Sequence, residues 1–129
     1  MPRLSGPRRL AAALLAVFLP ATASAEPTPL RVPTIAASAA AAADWASTYH
    51  AVTHYKIREA NPLLSPFAHS PKQVVVAGAL IDAAALTTWN LTVGKKKPRL
   101  AAAGLWAMTA FRGYLVVHNM RNMQKAARR

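Results

Sequence analysis

The chain has 129 residues, which bounds it to one domain, and it has no cysteine, which excludes disulfides, thiolate catalysis and cysteine-held zinc or iron–sulfur centres. Lys and Arg number 16 against 4 Asp and Glu, a net charge of +12, while 53% of the residues are hydrophobic and only 7% aromatic. Nucleic-acid binders spread basic residues along an exposed face, whereas here they lie outside the long apolar runs, Arg112 excepted, which favours basic loops flanking membrane helices.

The opening MPRLSGPRR is basic, LAAALLAVFL is a short apolar run, and Ala23-Ser24-Ala25 forms a small-residue cleavage site before Glu26. That order reads as a signal peptide over residues 1–25 and sets them outside the fold. EPTPLRVP follows with three prolines in eight residues, so 26–34 reads as an extended linker.

IAASAAAAADWASTYHAVTHYKI is rich in alanine and free of Pro and Gly, which predicts a helix over 35–57. Three prolines in 58–72 stop it. Ser70 as N-cap, Pro71 at the first helical position and Gln73 as the capping-box partner predict a second helix over 72–93. GKKKPR is a basic turn, with Gly94 ending that helix, Pro98 opening the next, and the lysines solvated and touching lipid phosphates. The third helix is placed at 99–120, and residues 121–129 form a basic tail. The runs 73–93 and 100–120 are each 21 residues long with one charge, which is bilayer length. The class is therefore all-α, a small transmembrane bundle of about three helices over 35–120. The bilayer is its partner, with a membrane-protein partner or a homo-oligomer alongside, and nucleic acid is not. No cofactor signature is present.

A charge in an apolar helix should face protein and find a partner. The turn between the last two helices centres near residue 96, and Asp82 and Arg112 stand about equally far before and after it. They are thus expected at one depth as an ion pair. The segment 58–72 places Asp44 near the same layer, on a face shared with Ser47, Thr48, Ala51, His54, Tyr55 and Arg58, with His50 beside it. Two carboxylates against one guanidinium leave an imbalance that a proton or a cation would offset. The layer reads as a lock that orients helices, or as a proton or ion site. His50 and His54, at i and i+4, are candidate metal ligands or interfacial side chains. Trp45, Trp89 and Trp106 read as anchors or packing residues.

Asp44-Trp-Ala-Ser-Thr48 followed by Glu59-Ala-Asn61-Pro62 resembles a family of small bacterial multi-helix membrane proteins. Its first helix carries Asp-x-x-x-Thr, and a Glu-x-Asn-Pro turn and apolar helices follow. The resemblance covers about residues 44–119. It implies importance for Asp44, Thr48, Glu59, Asn61 and Pro62, and no reaction, since that family has none assigned. Thr48 lies one turn after Asp44 and is expected to hydrogen-bond its carboxylate.

Three functional expectations follow. The first is a structural or accessory subunit of the bacterial inner membrane, exported by the secretory route. The second is a proton- or ion-translocating or metal-dependent membrane protein using Asp44, Asp82, His50 and His54. The third is an exported soluble basic helical protein that binds anionic polymers.

Overall fold

A computed structural model of the chain describes residues 6–23, 28–55 and 70–129. Five α-helices make up this part: α1 (Gly6–Val17), α2 (Leu19–Ala23), α3 (Arg31–Tyr55), α4 (Pro71–Trp89) and α5 (Pro98–Ala127). A 3-10 turn, Thr28–Leu30, leads into α3, and a π-helical stretch, Asn90–Gly94, prolongs α4. No strand occurs among the described residues.

The second helix begins as its sequence suggests. Ser70 is extended, its hydroxyl accepts the Gln73 amide at 3.4 Å, and Pro71 occupies the first turn. Elsewhere the boundaries differ from expectation. The proline-rich segment is not an extended linker in its described part, because Thr28–Leu30 is a 3-10 turn and α3 already starts at Arg31. Pro33 is tolerated there because the first-turn amides have no intrahelical acceptor to lose. Gly94 does not end its helix; the chain continues helically through Lys96 and breaks at Lys97, whose φ of −140° and ψ of 71° reflect the restriction imposed by the following Pro98. Gly94 serves packing instead: a Cβ there would lie 2.7 Å from Leu30 Cδ1. The tail is helical too, for α5 runs to Ala127 through a stretch without Gly or Pro.

The N-terminal segment also departs from expectation. Residues 1–25 were set outside the fold, yet Gly6–Ala23 packs against α3 and α4, and Leu14, Phe18 and Ala21 are buried. This is hydrophobic burial of the same apolar run that gave the segment its signal-like character.

The core lies where α3 meets α4 and α5. Ala37 and Ala41 let the backbones approach, and Trp45, Val75, Ala79, Leu86 and Leu105 fill the space between. Gly78 is the closest approach: the six-membered ring of Trp45 lies where its Cβ would stand. Two helical stretches, Pro71–Gly94 and Pro98–Ala127, are long and apolar enough to cross a membrane. Only 11% of the most apolar window of the second is buried against the rest of the chain. Its outer side carries Leu100, Trp106, Phe111, Tyr114 and Val117, and that of α4 carries Val76, Leu80 and Ile81.

Candidate functional site

Helices α3, α4 and α5 each contribute charge to one interior point. Arg112 on α5 sends one guanidinium nitrogen to Asp44 Oδ2 on α3 at 2.6 Å and the other to Asp82 Oδ2 on α4 at 2.5 Å. The Arg112, Asp44 and Asp82 side chains are 15%, 5% and 14% exposed. A guanidinium suits this place because its fixed fork presents two donors to two separate carboxylates.

Polar neighbours complete the cluster. Trp45 Nε1 donates to Asp82 Oδ2 at 2.7 Å, and the Arg112 guanidinium carbon lies 5.6 Å from the centre of the Trp45 ring. Trp45 thereby holds the carboxylate and faces the cation at once. Asn119 lies two turns along α5 from Arg112, on the same side. Its amide nitrogen reaches Ser47 Oγ at 3.0 Å, Thr48 Oγ1 at 3.1 Å and Asp44 Oδ1 at 3.4 Å. Ser47 Oγ also donates to the Asp44 carbonyl at 2.9 Å. The charges are thus tied by charge-assisted bonds to polar side chains, the condition under which a buried ionic group is tolerated.

The structure brings Asp44, Thr48, Asp82 and Arg112 together. Thr48 joins them through Asn119. Glu59, Asn61 and Pro62 lie outside the described residues. His50 and His54 are exposed near the end of α3, their ring centroids 4.2 Å apart in a tilted stack. His54 Nδ1 is 2.8 Å from Thr53 Oγ1. Among the described residues no group of three or more His, Asp or Glu side chains could hold a metal ion, so the pair stands as two donors only. His118 pairs with Asn122 at 3.0 Å and stacks on Tyr114, on the exposed side of α5.

Sequence reasoning missed two members of the cluster. Trp45 reads from the sequence as an anchor or packing residue, and it does pack in the core, but its bond to Asp82 is not foreseen. Asn119 was passed over, although it falls seven residues after Arg112 and therefore on its face.

A second polar point is buried where α2, α3 and α4 meet. Asn90 Nδ2 donates to Thr34 Oγ1 at 3.1 Å and to the Ala21 carbonyl at 3.3 Å. It ties the N-terminal segment to the start of the π-helical stretch.

No family model, no curated protein and no solved structure matches the chain.

Proposed function

We propose that the chain is a small integral protein of the bacterial inner membrane, a structural or accessory subunit exported by the secretory route. In this reading Asp44, Asp82 and Arg112 form an intramembrane lock that fixes how three helices pack. The observation that carries it is the contrast across α4 and α5. Their only charges over two bilayer-length runs meet each other and Asp44 on the inside, while their outer sides present hydrocarbon. In lipid the hydrophobic effect does not drive helices together, so polar contacts of this kind select the partner face. Residues 1–25 act as the export signal, and the packing of Gly6–Ala23 belongs to the uncut chain.

Alkaline carbonate extraction of membranes from cells making a C-terminally tagged chain tests the reading. An integral protein stays in the pellet. Release into the supernatant sinks the membrane reading and favours an exported soluble protein that binds anionic polymers. The intact mass from the same preparation reports whether cleavage follows Ala25.

A second reading, a proton- or ion-translocating site, is favoured by the partial exposure of Asp82 and Arg112 within the cluster. Asp82→Asn in proteoliposomes separates the two. A lock loses stability with no flux to lose, whereas a translocator loses proton or cation flux while its fold persists.

A further inference from the structure

Two features of the α4–α5 hairpin stand one above the other. The turn carries Lys95, Lys96, Lys97 and Arg99, all exposed. The ion pairs among the described residues belong to Arg112, so none of these four is neutralised by a carboxylate of the described chain. Below the turn, a hollow of about 190 Å³ opens between the helices, lined by Ala85, Leu86, Trp89, Gly104, Leu105 and Met108. Its α5 members lie five to nine residues past Arg99, about 8–14 Å along the axis. The hollow is smaller than a pocket for a drug-sized ligand and has no charged lining.

Trp89 shapes it. Its indole nitrogen donates to the Ala101 carbonyl at 3.1 Å, and the ring lies over Gly104, where a Cβ would stand 2.7 Å from Trp89 Cζ2. The ring therefore forms a fixed wall of the hollow, and its hydrogen bond leaves apolar surface to whatever enters.

The geometry points to a binding site for one anionic phospholipid, its phosphate on the Lys95–Arg99 turn and an acyl chain in the hollow beside Trp89. The inference rests on the membrane reading above. Four cations with no carboxylate partner among the described residues select a negative headgroup, and an apolar slot one headgroup's depth below accepts the chain that hangs from it. Charge alone would concentrate any anion at the turn. The slot is what makes a lipid the fitting ligand.

Fluorescence quenching in vesicles tests this with the full chain carrying Trp106→Phe, which removes the indole exposed on the outer side of α5. Vesicles of phosphatidylcholine receive increasing fractions of phosphatidylglycerol, with bromine on the acyl chains of one lipid or the other. Flotation with the vesicles is scored first, and a protein that does not float overturns both the membrane reading and this site. For a protein that floats, brominated phosphatidylglycerol should quench at a mole fraction roughly tenfold lower than brominated phosphatidylcholine. Replacing Lys95, Lys96 and Lys97 by Gln should remove that preference. Ala85→Phe, which fills the hollow from its exposed edge, should remove the quenching by either lipid. Equal quenching by both lipids, or a preference that survives the three Gln substitutions, overturns the site while leaving the membrane reading intact. Loss of the preference on adding inorganic phosphate at constant ionic strength also overturns it, in favour of a phosphate site without a chain slot.

Discussion

Trp45 lies across Gly78, so that the indole of α3 occupies the place of a side chain on α4. The same indole donates to Asp82, one turn along α4. Position 78 must be small for position 82 to be held. Gly78→Ala is expected to destabilise the protein by about 1–3 kcal/mol through overpacking, despite the higher helix propensity of alanine. Thermal unfolding in detergent would measure this. In a Trp45→Leu background the added methyl should cost much less; equal costs in the two backgrounds would show that the ring and the glycine are not coupled.

Arg112 serves both carboxylates, and this changes the test that the expected two-residue ion pair would suggest. Exchanging Asp82 and Arg112 would also move the guanidinium that Asp44 shares with Asp82, so the swap does not isolate one pair. Neutralisation is the informative experiment. Arg112→Met leaves two carboxylates facing each other and is expected to cost about 3–5 kcal/mol. Adding Asp44→Asn and Asp82→Asn to it should recover much of that loss. Unfolding by SDS titration compares the variants, and a triple variant no more stable than Arg112→Met would argue against a lock made by these three charges.

Asn119 is the neutral member that joins Asp44 to Ser47 and Thr48. Asn119→Ala should cost about 1–2 kcal/mol for the lost hydrogen bonds. Asn119→Asp, nearly the same in shape, brings a third carboxylate against Asp44 and should be clearly worse. If the two variants unfold together, the contact carries little electrostatic weight.

Asn90 offers a reading of the N-terminal segment. In the uncut chain Asn90→Leu gives up bonds to Ala21 and Thr34, for an expected loss of about 1–3 kcal/mol. In a chain cut after Ala25 the Ala21 acceptor is gone, and the same substitution should cost less. Paired stability and intact-mass measurements on the two forms distinguish them.

The meeting of Asp82 and Arg112 was legible in the sequence because the apolar runs 73–93 and 100–120 carry one charge each, and symmetry about the turn sets those two charges level. The helix starts at Pro71 and Pro98 were legible for the same local reason, since proline suits a first turn. The boundaries that differ have physical causes that composition conceals. Pro33 reads as a breaker by identity and is harmless by position. Gly94 reads as a stop, but the residue before Pro98 is the more restricted one. Trp45 was not legible as a carboxylate partner because an indole fits an anchoring or packing role equally well, and only the close approach at Gly78 brings its N–H to Asp82. The burial of Phe18 and Ala21 was hidden because an apolar run near a basic N-terminus has the same composition whether it is exported away or packed into the bundle.

The π-helical stretch Asn90–Gly94 gives the hairpin slack. A π turn holds one residue more than an α turn, and one residue is about 100° of rotation. Upstream, the buried Asn90 side chain fixes the helix against α2 and α3. Loss of one residue from 91–93 would tighten the stretch into ordinary α-helix, because the π turn already holds the extra residue. The Asp82 face and the basic turn would both keep their directions, whereas the same loss from regular α-helix would rotate one against the other. The hairpin can thus tolerate a change in length at this one place without losing its charged layer or turning its lysines away.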